Sequence, residues 1–285
     1  MIKPNIFIVG IQKAGTTSLY DTLRNHPEIF GPLIKDYNNS HPFFSDENYY
    51  KNKKKKFEKL FSDNNGIKNV ITSDVDLIEQ KQSLIRIKEY SPNAKIIICL
   101  RNPLNRLKSM FKFYKQQGKI NEQEILENEL KKDSEHYLSR SLYFDKICNA
   151  FEIFPKENIK IVLFEEIIDK NKQSEVLDDL YEFLEISKLD TGLLHENKTG
   201  VPQNSFARNI YEIGKDTKIR SILVHSIIDK FFNANKRYEL KRKLFKKEGS
   251  VSSENVVIPE ETKNTIINDS KKLKEKFDID VLNTN

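Results

Sequence analysis

The sequence predicts an α/β fold, a three-layer domain in which helices flank a central parallel sheet, followed by a mainly helical C-terminal part. Short apolar segments typical of buried parallel strands recur along the chain. Amphipathic segments with helical spacing separate them, and this alternation is typical of βαβ units. We expect a single domain over residues 1–285, with an α/β core at 1–189 and the helical part at 190–285.

Four apolar segments are the predicted strands, at residues 5–9, 68–72, 95–100 and 159–164. A helix follows the first strand and is expected to end near Pro27, because the residue before a proline disfavours helical geometry. An amphipathic helix follows the third strand, with Pro103 in its first turn. Another helix is predicted near residues 174–184, and the chain is mainly helical after Leu189.

The loop between the first strand and its helix carries the first functional signal. The segment from Gly10 to Thr17 reads GIQKAGTT, and its glycines have the spacing of the phosphate loop G-x-x-x-x-G-K-[ST]. Thr16 stands at the lysine position, and the lysine of the segment is Lys13. We therefore predict a P-loop-like site for a phosphate-bearing donor other than ATP. An ordinary strand-to-helix turn is the alternative.

A second signal follows the third strand. Arg101 stands at the carboxyl end of this strand, where open α/β sheets bind ligands, and Ser109 lies two turns into the next helix. A guanidinium group matches phosphate oxygens with two parallel hydrogen bonds. These residues predict a second phosphate site; the alternative is a surface ion pair and a serine that faces water.

The segments GIQKAGTTSL and IIICLRNPLNRLKSMFKFY resemble the two nucleotide-binding signatures of sulfotransferases that use 3'-phosphoadenosine 5'-phosphosulfate (PAPS), including bacterial and Golgi carbohydrate members. Weaker similarity covers most of the rest of the chain. The resemblance implies a P-loop-type fold and an enzyme that moves the sulfuryl group from PAPS to an acceptor hydroxyl by in-line displacement. Adenosine 3',5'-bisphosphate (PAP) would be the product, and no metal would be required.

The resemblance also implies roles for individual residues. Arg101 and Ser109 would hold the 3'-phosphate, and a late loop with Lys198 and Gly200 would close over the adenine side. Lys13 would be the cation beside the leaving oxygen. The residues expected to hold the 5'-phosphosulfate are Lys13, Ala14, Gly15, Thr16, Thr17 and Ser18.

The general base and the acceptor stay open. Asp36 stands where relatives carry a glutamate, one methylene longer, and is the first candidate base; His41 is the second. A structural role in the loop is the alternative for both. Asp74 and Asp76 would either receive a cationic acceptor or cap a helix start. The acceptor would be a carbohydrate, a lipid or a small metabolite.

Composition sets further limits. Charged residues make up 32% and apolar residues 38%, which is typical of a folded rather than a disordered chain. No apolar run approaches the ~18 residues that cross a bilayer, and no signal-peptide pattern precedes the first strand. Cys99 and Cys148 suggest no disulfide, and no spacing of histidines and cysteines is typical of zinc. We expect a cytoplasmic protein without a metal.

The net charge of +6 is unevenly distributed, with basic runs at residues 51–56 and 236–247. A solvated face and an amphipathic helix explain these runs; attraction of an anionic glycan, a lipid surface or a nucleic acid is the alternative, and no nucleic-acid partner is expected. Two other functions remain open beside sulfuryl transfer. One is a catalytically silent protein that binds PAPS or PAP, and the other is a P-loop kinase, which the threonine at position 16 disfavours. The oligomeric state is not predicted.

Overall fold

The computed structural model describes residues 3–32, 42–116, 119–121, 123–189, 192 and 256–283, which belong to one compact unit. In this part of the chain five strands form one parallel sheet with the order β2-β3-β1-β4-β5. The predicted α/β fold with a parallel sheet is therefore confirmed. The strands are β1 (Ile6–Ile8), β2 (Ile29–Phe30), β3 (Asn69–Ser73), β4 (Lys95–Leu100) and β5 (Ile159–Leu163).

Helices surround this sheet. Short 3-10 turns at Leu77–Glu79, Ser139–Ser141 and Lys156–Asn158 join some of the elements. In the described ranges the α-helices are α1 (Thr16–Arg24), α2 (Glu47–Asn52), α3 (Lys54–Lys59), α4 (Lys81–Tyr90), α5 (Pro103–Gln116), α6 (Leu126–Lys132), α7 (Ser134–Tyr137), α8 (Phe144–Ile153), α9 (Phe164–Ile168), α10 (Gln173–Leu184) and α11 (Glu260–Phe277). None of these described helices has the length and apolar character needed to cross a membrane.

Small differences separate these elements from the sequence-based prediction. The edge strand β2 was not predicted, because two residues are too few to show a periodic pattern. Strand β5 ends at Leu163, and Phe164 begins helix α9 instead of ending the strand. Strand β4 has the predicted limits, since its run of apolar residues is buried on both faces.

The order of the strands creates a crevice between β1 and β4. From β1 the chain passes through α1 to β2 on one side of the sheet, whereas from β4 it passes through α5 towards β5 on the other side. Open α/β sheets bind ligands at such a switch point, outside the carboxyl ends of the strands. Gly10 and Arg101, which follow β1 and β4, are both at this position.

The core holds the switch point in place. β1 and β4 are almost wholly buried, and Phe7 of β1 packs edge-on against Phe44, with ring centroids 5.5 Å apart. Phe43 stacks on Phe57 of α3 at 4.3 Å, so the chain just after residue 41 is attached both to the sheet, through Phe44, and to this helix. At the other end of the chain, Phe277 of α11 stacks on Phe151 of α8 at 4.9 Å, so the C-terminal helix packs on the same domain.

Candidate nucleotide site at the ends of β1 and β4

The loop after β1 is attached to β4 by backbone hydrogen bonds. The amide of Ile11 donates to the carbonyl of Cys99 at 2.8 Å, and the amide of Cys99 donates to the carbonyl of Gly10 at 3.0 Å. Gly10 has φ +143°, and a Cβ at this position would lie 2.6 Å from Cγ2 of Ile78. Gly15 has φ +77°, and its Cβ would lie 2.8 Å from Cδ2 of Phe164. At both predicted loop positions, a residue larger than glycine would therefore be strained by the backbone conformation and by a steric clash.

The loop ends at the N-terminus of helix α1, which is open to an anion. Gly15 is the N-cap residue, no side chain among the described residues caps the helix, and its first turn has no acidic residue. The first backbone N–H groups of a helix have no partner within the helix, and together with the helix dipole they favour a phosphate group. Thr16 and Ser18 are buried in this turn and Thr17 is half-buried, so these residues line the helix start.

Lys13 supplies the positive charge of the loop. Its ammonium group lies 4.1 Å from the centroid of the Phe113 ring, on helix α5. Burial, followed by the charges of Arg101 and Arg106, lowers the pKa of Lys13 to about 8. An ammonium that is this poorly solvated gains more than an ordinary surface lysine from an approaching anion.

Arg101 lies against the same loop. Its Nη1 donates to the carbonyl of Lys13 at 3.0 Å, and its guanidinium carbon lies 4.5 Å from the centroid of the Phe164 ring. Its Nε lies 3.9 Å from a carboxylate oxygen of Glu165 and has no hydrogen-bond partner among the described residues, although it is buried. Burial lowers the pKa of Arg101 and raises that of Glu165. A buried donor without a partner is what a phosphate oxygen would satisfy.

Ser109 lies on α5 and is half-buried. It precedes Phe113 by four residues, and side chains at this spacing share one face of a helix. Since the Phe113 ring contacts the ammonium of Lys13, the shared face of α5 is the one that turns towards the loop. The helix that begins two residues after Arg101 therefore presents Ser109 on the side of the candidate site.

Three residues of the site were missed by sequence reasoning. Phe164 and Glu165 follow β5 directly, as Arg101 follows β4, so their position at a strand end was the available signal. Arg106 is fully buried, and its guanidinium donates to the carbonyls of Tyr137 at 2.7 Å and His136 at 2.8 Å. Its Nε also donates to the carbonyl of Gln12 at 3.4 Å, which adds a positive charge beneath the loop.

The acidic residues after β3 have partners. One carboxylate oxygen of Asp74 accepts from the amide of Asp76 at 3.1 Å, and the other accepts from the hydroxyl of Ser45 at 2.8 Å. Asp76 pairs with Arg140 at 2.7 Å. This geometry favours the structural alternative for both aspartates over direct binding of a cationic acceptor.

Four of the predicted site residues are not among those that the structure describes. They are Asp36 and His41, the candidate bases, and Lys198 and Gly200, the candidate adenine-side residues. Among those that the structure describes, no group of three or more histidines, cysteines and acidic residues is arranged to hold a metal ion.

An open helix start, a half-buried lysine and a strand-end arginine, all at the switch point of a parallel sheet, define a class of protein that binds phosphate groups of a nucleotide. The sequence matches the sulfotransferase domain family over residues 3–231, and the protein therefore belongs to this family. The family uses PAPS, so the predicted enzyme class, a PAPS-dependent sulfotransferase, is confirmed.

Solved structures agree with this assignment. A sulfotransferase from Alicyclobacillus acidocaldarius is similar over 79% of this chain and 97% of its own, with 25% identity and a TM-score of 0.59. Mouse sulfotransferase SULT7A1, solved in complex with PAP, is similar over 96% of this chain and 85% of its own, with 18% identity and a TM-score of 0.54. At that identity the mouse enzyme supports the fold alone. A search among curated proteins gives no match.

Proposed function

We propose that this protein transfers the sulfuryl group of PAPS to a hydroxyl group of an acceptor. The observation that carries the proposal is the hydrogen bond from Arg101 to the carbonyl of Lys13, at 3.0 Å. It brings the arginine that follows β4 against the loop that follows β1. Two sites for phosphate groups are thereby adjacent, as a ligand with phosphates at both the 3' and 5' positions of its ribose requires.

Each end of the donor has its own set of residues in this proposal. Arg101 and Ser109 hold the 3'-phosphate, and the Nε of Arg101, which has no hydrogen-bond partner among the described residues, supports this role. Lys198 and Gly200 close the adenine side. The 5'-phosphate is held by the loop and the first turn of α1, through Lys13, Ala14, Gly15, Thr16, Thr17 and Ser18.

The reaction needs alignment and charge stabilisation more than covalent help. The acceptor oxygen forms a bond to sulfur while the bond from sulfur to the bridging oxygen of the 5'-phosphate breaks. The acceptor proton passes to a general base, and negative charge develops on the bridging oxygen. Lys13 is the residue proposed to stabilise that charge, because its poorly solvated ammonium is part of the loop itself. No step requires a metal ion.

Asp36 is the proposed base and His41 is the second candidate. Both belong to residues 33–41, which are not among the residues that the structure describes. The residues on either side of that segment are hydrogen-bonded to elements that adjoin the site. On one side the hydroxyl of Tyr20, in α1, donates to the carbonyl of Pro32 at 2.7 Å. On the other side Ser45 donates to Asp74 at 2.8 Å, directly after the strand beside β1.

The acceptor in this proposal is a carbohydrate, a lipid or a small metabolite. Incubation with radiolabelled PAPS and fractionated cell extract tests the proposal, and label should appear in a new, hydroxyl-linked product. Lys13→Ala should abolish most of this transfer. The control is Lys95→Ala, which removes a lysine that also rests on an aromatic ring but lies at the first residue of β4, the end of the strand opposite the candidate site. Absence of transfer to every fraction, together with absence of PAPS binding, would refute the proposal.

A further inference from the structure

The contact between Lys13 and Phe113 joins two parts of the site that are a hundred residues apart in the chain. The ammonium nitrogen lies 4.1 Å from the ring centroid, well within the ~6 Å over which a cation is attracted by an aromatic face. Phe113 is half-buried and packs against an apolar cluster that includes Leu107 and Met110. The ring is therefore held by its own packing.

The charged groups that act on Lys13 in the described part of the chain are unfavourable to its protonated form. Arg101, at the start of α5, and Arg106, on α5 itself, both lower the pKa of Lys13, as burial does. The carboxylate of Glu165 lies on the far side of Arg101, 3.9 Å from its Nε. The negative face of the Phe113 ring is therefore the feature of this surrounding that favours the ammonium form.

We propose that Phe113 is a positioning residue for Lys13. Its ring holds the ammonium group against α5, next to the loop, and keeps it protonated beside two arginines. This inference rests on the proposed function, because it supplies the orientation and the charge state that Lys13 needs in order to stabilise the leaving oxygen.

The position of Phe113 on α5 gives the contact a further consequence. Arg101 leads into this helix, and Ser109 lies one turn before Phe113 on the same face. Helix α5 and the residues that lead into it thus carry both residues proposed for the 3'-phosphate and the ring that orients the lysine proposed for the 5' side. Displacement of α5 would disturb both ends of the donor site together.

Titration of Lys13 in the free protein tests the inference without any turnover. The side-chain Cε of lysine is labelled and followed by NMR, and the Lys13 signal is assigned by its loss in Lys13→Arg. The wild-type midpoint is expected near pH 8. Phe113→Leu keeps an apolar side chain but removes the ring face, and should lower the midpoint by roughly half a unit to one unit. Phe113→Tyr keeps the ring face and should leave it unchanged.

Turnover gives a second readout. Phe113→Leu should lower kcat/KM for PAPS about twofold to fivefold near pH 8, and the alkaline limb of the kcat/KM profile, which reports the free protein, should move by the same shift as the NMR midpoint. Phe183→Leu is the matched control, since it removes the ring 5.0 Å from the ammonium of Lys95, at the end of β4 opposite the candidate site. It should change neither quantity.

Equal Lys13 midpoints in Phe113→Leu and Phe113→Tyr would overturn the inference even in an active enzyme. A wild-type protein that transfers no sulfuryl group would instead refute the proposed function, while the titration in the free protein still reports on the ring. If Phe113→Leu does not fold, pentafluorophenylalanine at position 113 replaces it, because this ring is similar in shape but its face no longer attracts a cation. An unchanged midpoint with that substitution would also overturn the inference.

Discussion

Replacement of Arg101 by methionine should remove the preference of the protein for a ligand with a 3'-phosphate. The change keeps much of the side-chain length but deletes the charge and every donor. Hydrogen bonds to charged groups contribute about 1.5–3 kcal/mol, which corresponds to roughly 10-fold to 150-fold in Kd. The upper part of this range is expected, because the Nε of Arg101 is already buried without a hydrogen-bond partner in the described structure.

The measurement is a comparison of two ligands on two proteins. Isothermal titration gives Kd for PAP and for 5'-AMP, and the quantity of interest is the ratio of the two constants. Arg101→Met also loses the bond to the carbonyl of Lys13 and the contact with the Phe164 ring. These losses disturb the 5'-phosphate site that PAP and 5'-AMP share, and should weaken the binding of both ligands alike. The ratio of their Kd values therefore reports the contribution of the 3'-phosphate alone.

Arg24→Met is the control for a simple loss of positive charge. Arg24 lies in the last turn of α1, away from the loop, where it pairs with Asp21 at 2.8 Å. This variant should keep the wild-type ratio. An unchanged ratio in Arg101→Met, or equal Kd values for PAP and 5'-AMP in the wild-type protein, would refute the role of Arg101.

Three further predictions concern the loop and the base. Lys13→Ala should lower turnover by at least about 100-fold with little change in melting temperature. In the wild-type protein, kcat/KM for PAPS should fall as the pH rises through about 8, because this constant reports the free protein and only the protonated lysine stabilises the leaving oxygen; a flat profile would contradict this. Gly15→Ala should lower the free energy of unfolding in urea by about 1–3 kcal/mol more than Gly66→Ala. Both glycines have positive φ, but only at Gly15 would the new Cβ lie against a ring, so equal losses of free energy would contradict the clash. Asp36→Ala and His41→Ala should be compared by pre-steady-state transfer, where the larger loss identifies the base and two unimpaired variants would exclude both.

The parts of the site that were predicted from sequence are those that local geometry dictates. Gly10 and Gly15 mark positions of positive φ, and Arg101 directly follows a strand whose limits are evident from its apolar residues. Such features depend on neighbours in the chain. The central sheet could be predicted for the same reason, apart from the two-residue strand β2.

The contacts that tune the site could not be predicted in this way. Phe164 touches both Gly15 and Arg101, and Arg106 donates to a carbonyl ninety-four residues earlier in the chain. Nothing in the local sequence of Phe113 indicates that its ring receives the ammonium of Lys13. These pairings are determined by how helices and strand ends pack, and they become visible only when the chain is folded.

The hydrogen-bonded register of β1 and β4 fixes the distance between the two proposed phosphate sites. Ile8 lies opposite Ile97, and these neighbouring strands are about 4.8 Å apart. The loop after β1 and Arg101 after β4 begin within a few residues of this pair, so the sheet sets the distance between them. Flexible side chains can adjust this span only a little. Adenosine 2',5'-bisphosphate has the same groups at a different separation, and we expect the protein to bind this isomer more weakly than PAP.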